Sequence, residues 1–429
     1  MSGPANPDAH PVAGGSPLRV LQNGNFRRLW VGSLASSAGA AVGSIILVWL
    51  VYSATQSPLA ISVLGIVQFL PTLGFGLLAG ALIDRLDRRR LLLTCDVARA
   101  ICFGVMALFI LLYGVDFEVV VGVVFVVSTF STVFRPATNA AIPRILARSE
   151  LSDGNGLLQG GTTIASFIGS PLGGLLLLTL GAAAGLALNA FTFAISAVMI
   201  FLMVIPSAAG RPAVPGPEGS SLLREVGDGL RYLRSQRALL IITVTAMGAN
   251  FFLTIWGAFT VIYAAVQLHE GATGFAIMVA ANTGGFAIGA ILPGRIHTDR
   301  APGRWLLVTW GITGFFVVGL AFTHALWVAV ALTVVAGVLL SCGNTTWLSG
   351  VQKVVPDEFM GRYFATDEAG SFAMIPAGIA VGGVLVLVWG ISWTYLFAGV
   401  GALLVNLPLF LSPTVRNWGL ATAQGPSPM

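Results

Sequence analysis

What the sequence has least of is charge. Asp, Glu, Lys and Arg make up 9% of its 429 residues, and lysine occurs once, as Lys353. A soluble domain of this length needs a polar surface, and there is too little polar material here to cover one. Cysteine is scarcer still. Cys95, Cys102 and Cys342 fall in or beside apolar runs, give no disulfide framework and no metal-ligand spacing, and read as small packing residues. The histidines, His10, His269, His297 and His324, are scattered, so no metal or nucleophile constellation forms and an enzyme is not expected. The one lysine lies in "VQKVV", which leaves no GK[ST] phosphate loop and no nucleotide-driven motor within the chain. No cofactor is implied.

What the sequence does have is long apolar runs: 56% of it is hydrophobic, with a mean hydropathy of +0.89. Runs of about 20 residues cross a bilayer as helices. Twelve are predicted, at 29–53, 58–83, 91–113, 117–134, 161–180 and 183–205, and then at 239–264, 272–292, 305–322, 325–347, 370–388 and 391–411. They are continuous rather than alternating, which excludes a barrel. The expected organisation is a polar, disordered tail (1–25), a six-helix bundle (26–205), a linker (206–237), a second six-helix bundle (238–411) and a second tail (412–429). No apolar signal-peptide core precedes Leu29, so the first span is expected to be its own insertion signal. The linker opens on "PSAAGRPAVPGPEGSS" and continues as "SLLREVGDGLRYLRSQR", where Leu222, Val226, Leu230 and Leu233 share a helical face opposite arginines. Such a helix is a strut between the halves, a rider on the inner leaflet or a regulator's target.

Every lysine and arginine falls at one end of the predicted spans, from Arg19, Arg27 and Arg28 through the linker arginines to Arg416. The opposite loops carry only Asp116, Glu118, His269, Glu270 and His324. Basic residues favour the cytoplasmic side. The expected placement is therefore a multi-pass protein of the cytoplasmic membrane with both termini inside. The net charge of +5 then reflects topology and contact with anionic lipid, not nucleic acid. The densest charge is "GALIDRLDRRRLLL", with six charges between Asp84 and Arg90. The halves repeat weakly. Setting Arg304 on Arg90 brings Gly294 onto Gly80 and Asn282 onto Gln68, and makes "GRIHTDRAPGR" a decayed copy of "GALIDRLDRRR". Pro143 and Pro356 are each expected just past the fourth helix of their half. Two related bundles suggest a transporter that rocks about a central site.

Gly80, Asp84, Arg85, Arg88, Arg89 and Arg90, placed between the second and third of twelve helices, resemble motif A of the major facilitator superfamily. "FRPATNAAIPRILARSELSDGNGL", "SGVQKVVPDEFMGRYFA" and "GSPLGG" are similar to its branch of enterobactin exporters and macrolide-efflux proteins. The resemblance implies an all-α fold of two pseudo-symmetric six-helix bundles. It also implies that Asp84 faces the amino terminus of the eleventh helix, where a carboxylate gains up to about 2 kcal/mol from the helix dipole. Gly80 would let a helix approach, and the arginines would anchor the loop to phosphates and acids. The cluster is then a latch between halves, or else plain positive-inside anchoring, which explains the arginines but not Gly80 or Asp84. Asp87 stands where the superfamily commonly has glycine, and the usual acidic partner in the fourth helix is missing. A second resemblance is to the glycine pattern of exporters, motif C, at Gly156, Gly169, Gly173 and Gly174, with Ser170 at the usual proline and Pro171 one step later.

The resemblance makes the first, fourth, seventh and tenth helices line the cavity. This points to Ser37, Ser44, Ser128, Thr129, Asn250, Phe252, Trp256 and Asn344, and the repeat adds Gln68 and Asn282. Each either lines a cavity or bonds helices together. Aromatic residues with few charges suit an amphipathic or neutral organic substrate. The titratable candidates for proton coupling are Asp96, one turn inside the third span and able to pair with Arg99, and Asp367 with Glu368 ahead of the eleventh. The expected function is gradient-driven efflux of a small organic molecule by a monomer, with protons as the coupling ion. Uniport, import, lysolipid transport and a non-transporting membrane sensor or scaffold are the alternatives.

Overall fold

A computed structural model describes residues 17–204 and 222–420, less the side chains of 17, 73, 75–85, 222–226, 228–229, 357–358, 365 and 372. The described residues are helical throughout. The first half comprises α1 (Gly24–Thr55), α2 (Pro58–Arg85), α3 (Arg88–Tyr113), α4 (Phe117–Ile145), α5 (Leu151–Thr179) and α6 (Gly181–Phe201). After α7 (Leu222–Ser235) come α8 (Arg237–Ala258), the single turn α9 (Thr260–Ile262), a π-helical turn at Tyr263–Gln267, α10 (Gly271–Ile296), α11 (Pro302–Phe322), α12 (Leu326–Val354), α13 (Asp357–Leu411) and α14 (Pro413–Arg416). Ten helices among the described residues are long and apolar enough to cross a membrane. α13 carries two spans, because Gly390 breaks it with a φ of 78° that favours glycine. Phe359 and Tyr363 before the break pack in the same cluster as Leu409 after it, so the chain doubles back there. With α2, whose described apolar part is Pro58–Thr72, the architecture is consistent with the twelve expected crossings.

Helices reach further than hydropathy suggests at the basic end. The fourth span was expected to stop at 134, but α4 runs to Ile145 and holds Pro143 inside it rather than after it. α5 begins at Leu151, not 161. The largest shift is at the eleventh span, which begins at Asp357 rather than 370, so Asp367 and Glu368 lie within the helix and not ahead of it. Apolar residues between the polar ones, such as Ala137, Ala141, Ile142, Leu158 and Tyr363, are buried there, and a hydropathy window averages them with exposed neighbours. The tails correct in the same direction. Residues Pro17–Gln22 form a 3-10 turn with Val20 buried, and Asn23 caps α1 while its side-chain amide donates to the Ile145 carbonyl at 3.0 Å. Beyond 412, Val415 and Trp418 are buried under the second bundle. The rest of both tails, and the linker to 221, lie outside the described residues.

Three apolar cores set the shape. One, at the end of the molecule away from the termini, is shared by both halves and runs from Val42, Leu47 and Leu64 to Trp256, Phe275 and Tyr395. The other two lie at the basic end and are separate. One belongs to the first half (Phe26, Leu92, Ala141, Ile200) and the other to the second (Leu239, Leu306, Val351, Tyr363, Leu409). Among the described residues the bundles thus share a core at the end away from the termini, here called the outer end, and have separate cores at the basic end.

A cleft between the bundles and its candidate site

The outer end of the cleft is shut by close-packed contacts. Trp49 of α1 stacks on Phe275 of α10, with ring centroids 6.3 Å apart. The Ser62 hydroxyl of α2 donates to the Ile379 carbonyl of α13 at 2.8 Å. Gly174 of α5 lies against Ala276 of α10 so closely that a side chain there would collide. Just below this seam a cavity of about 240 Å³ lies between the bundles, lined by Trp256, Asn282, Thr333, Ser170 and Phe275. Trp256 and Asn282 therefore meet in one chamber, as expected of lining residues. Trp256 is also almost fully buried and accepts the Tyr395 hydroxyl on its carbonyl at 2.9 Å.

Each bundle holds a further cavity of its own. In the first, about 390 Å³ is bounded by hydroxyls (Ser33, Ser36, Ser37, Thr162) and by Arg99 and Arg135. In the second, about 360 Å³ is bounded by Asn250, Asn344, Ser371, Asp367, Trp310 and Trp347. The register that sets Arg304 on Arg90 also sets Asn250 on Ser36, Thr345 on Ser131 and Leu348 on Phe134, so the two cavities are repeats of each other with different chemistry. Asn250 and Asn344 line the cavity and bond helices at once: the Asn250 amide donates to the Ser371 hydroxyl, and Asn344 accepts from the Trp310 indole, each at 3.1 Å.

Asp96 and Arg99 form the one ion pair within a bundle interior among the described residues. Asp96 lies eight residues into α3, about 12 Å from its start at about 1.5 Å per residue, which is two turns rather than the one turn expected. Its carboxylate accepts from the Arg99 guanidinium, which is held between the rings of Phe134 and Phe193, 4.2 and 4.5 Å from their centroids. Ring faces attract a desolvated guanidinium, so Arg99 has three partners without water. Asp367 is nearly as buried, at 9% exposure, but among the described residues its Oδ1 has no hydrogen-bond partner. Glu368, its neighbour, is exposed.

The sequence profile of the transmembrane secretion effector family matches residues 15–426. The chain belongs to that family. It is thus a major facilitator transporter and a multi-pass membrane protein, not an enzyme. Relatives span nearly its whole length. An MFS-type transporter of Bacillus subtilis strain 168, YkuC, is 26% identical, covering 92% of this chain and 94% of its own. The multidrug efflux pump Tap of Mycolicibacterium fortuitum is 25% identical over 91% and 96%. Macrolide efflux protein A of Streptococcus pyogenes is 22% identical over 87% and 92%. In fold, the chain matches a bacterial homologue of the lysosomal transporter Spinster, in an inward-facing and unoccupied conformation, with a TM-score of 0.67 at 13% identity over 96% of this chain and 100% of that one. It also matches the nucleoside transporter NupG, with a TM-score of 0.64 at 15% identity over 90% and 98%.

In this secretion-effector chain the charged loop, expected to be a latch or plain anchoring, is described in part. Gly80, Asp84 and Arg85 end α2, and their side chains lie outside the described residues. Arg89 donates to the Ile200 carbonyl at 3.3 Å and to the Phe201 carbonyl, capping the end of α6 where the helix dipole is negative. Asp87, the departure from glycine, caps α3 by accepting from the Arg90 amide at 2.8 Å. The repeat of the loop has its own tie: Lys353 donates to Asp299 at 2.7 Å, which holds the Asp299 carboxyl below its usual range. Of the helix-five glycines, Gly169 and Gly173 press on the backbone of α1 at Ala38 and Val42, and Gly174 on α10, but Gly156 faces open space and takes no part. Pro171 sits inside α5.

Five expected cavity residues line none of these cavities. Phe252 packs within the second bundle, against Phe397 at 5.5 Å and Gly401. Ser44 and Thr129 donate to carbonyls of their own helices, at 2.9 and 2.8 Å, and Ser128 accepts on its carbonyl from Thr132 at 3.0 Å. Gln68 is half-buried on α2 and is not drawn to Asn282 in the chamber. Sequence reasoning missed Arg135, Trp310, Trp347 and Ser371. Carrying the repeat register past the loop to Asp96 and Ser36 would have found the Trp310 and Asn250 wall.

Proposed function

We propose that the chain exports a small organic molecule by alternating access, and that the basic end, with both termini, faces the cytoplasm. The observation that carries the reading is the joint of the bundles: shut by Trp49, Phe275 and Ser62 at the end away from the termini, with separate cores at the basic end, one chamber between the bundles and a polar cavity within each. In that orientation the state is inward-open, ready to load from inside. The efflux pumps among the relatives support the direction. Asn250, Asn344, Trp256, Asn282 and Ser37 are the substrate-facing residues of this reading, and α5, with Gly173 on α1 and Gly174 on α10, is the pivot.

Export against a gradient needs a coupled ion, and the Asp96–Arg99 pair is the proposed proton site. A proton on Asp96 would free Arg99 to turn towards the hydroxyls of its cavity, linking the charge state of the pair to substrate release. The test uses proteoliposomes of the full chain. Asp96→Asn combined with Arg99→Gln, which leaves no lone buried charge, is expected to abolish gradient-driven accumulation and to spare substrate exchange. Loss of both activities together makes the pair structural, and retention of both moves coupling elsewhere. Absence of any transport by the unaltered chain overturns export itself.

A further inference from the structure

Among the described residues, Asp367 has no cationic side chain to answer its charge. It lies ten residues into α13, and its carboxylate forms part of the wall of the 360 Å³ cavity in the second bundle. The rest of that wall is neutral. The amide of Asn250 is engaged by Ser371, the amide oxygen of Asn344 by Trp310, and the indole N–H of Trp347 by the Tyr363 hydroxyl at 3.2 Å. Among the described residues no lysine or arginine lines the cavity, and the adjacent Glu368 adds negative charge rather than balancing it. The contrast with Asp96 is direct: one buried acid has a guanidinium on it and the other has an open chamber. A carboxylate withdrawn from water without a counter-charge costs several kcal/mol. Such groups persist inside membranes where a ligand or ion supplies the missing charge.

The surroundings select the kind of cation. A metal ion needs several oxygen or nitrogen ligands, and among the described residues no group of three His, Cys, Asp or Glu side chains comes together. A lone carboxylate beside two indoles is instead the setting for an organic cation, whose diffuse charge is attracted both to the acid and to aromatic faces and whose apolar body replaces water in the chamber. We infer that Asp367 anchors the charged centre of a lipophilic organic cation in the cavity bounded by Trp310 and Trp347. This rests on the cleft being the substrate path, and it names the substrate class for the second bundle's share of it.

Binding of radiolabelled tetraphenylphosphonium to the purified full chain, measured by equilibrium dialysis, tests the assignment without any transport step. Saturable binding is expected, and tetraphenylborate, of the same shape and opposite charge, should not displace it. Asp367→Asn should weaken affinity at least tenfold and Asp367→Glu less than threefold. Asp299→Asn, which removes an exposed acid of the same bundle, should leave it unchanged. Ser371→Lys should abolish binding by placing an ammonium beside the carboxylate, and it keeps the test decisive if Asp367→Asn does not fold. Failure of the unaltered chain to bind saturably overturns the assignment, as does wild-type affinity in Asp367→Asn or Ser371→Lys, or equal displacement by tetraphenylborate. None of these outcomes bears on whether vesicles holding the chain export another solute, so this assignment and the export reading fail separately.

Discussion

Arg99 shows how this chain keeps a charge in an apolar interior. Its guanidinium meets a carboxylate, the Cys95 carbonyl and the faces of two aromatic rings. Removing one partner of a buried pair costs about 3–5 kcal/mol, whereas replacing both with neutral groups is often close to harmless. Asp96→Asn alone should therefore lower the thermal midpoint of the chain in nanodiscs by several degrees, and adding Arg99→Gln should restore most of it. A single variant as stable as the unaltered chain would mean that the rings, not the acid, hold the arginine. Much of this was legible, because two opposite charges three residues apart in an otherwise apolar helix announce a pair. The rings were not, since Phe134 and Phe193 come from other helices and nothing local marks them. Asp367 was seen as titratable but misplaced, because the residues before it looked like a loop.

Between residue and bundle stands α7. The described end of its apolar face packs on the second bundle: Leu233 is buried in that bundle's core, and Tyr232 stacks on Phe359 of α13 with ring centroids 4.6 Å apart and planes 9° from parallel. Aromatic pairs of this kind contribute about 0.5–1.5 kcal/mol beyond the area they bury. Tyr232→Ala should loosen α7 by about that much or more, seen as faster amide exchange over 222–235, with α8 unaffected. Equal exchange in both proteins would show that Leu233 alone docks the helix. The amphipathic pattern was plain in the sequence, as was the strut reading of it. Its partner was invisible, because residues 357–369 were assigned to a loop and a loop offers no face to pack on. The same cause lengthened α4 and α5: short polar stretches at a bundle's end stay helical when neighbouring helices satisfy them.

At the scale of the whole molecule, the spans and their grouping into two bundles could be read from apolar runs and from the sidedness of arginine. The conformational state could not, because both states of a rocking carrier use one sequence and differ only in which contacts are made. The outer seam offers a direct test. Ser62 and Gly383 face each other across α2 and α13, and a Cβ built on Gly383 lies 3.0 Å from that of Ser62, so the helices need part by only about 0.5–1 Å to reach the Cβ spacing of a disulfide. With Cys95, Cys102 and Cys342 replaced, Ser62→Cys with Gly383→Cys should cross-link on oxidation, stop transport and recover it on reduction. Uninterrupted transport in the oxidised protein would mean that this seam never opens.

That seam is made largely of side chains with nothing to offer water. When it parts, Trp49, Phe275 and their neighbours turn from each other towards an aqueous funnel, so the opening step resembles a small unfolding in its thermodynamics. Exposure of apolar surface raises heat capacity. The balance between the two states therefore shifts with temperature along a curve rather than a line, and cooling weakens the grip that keeps the outer end closed.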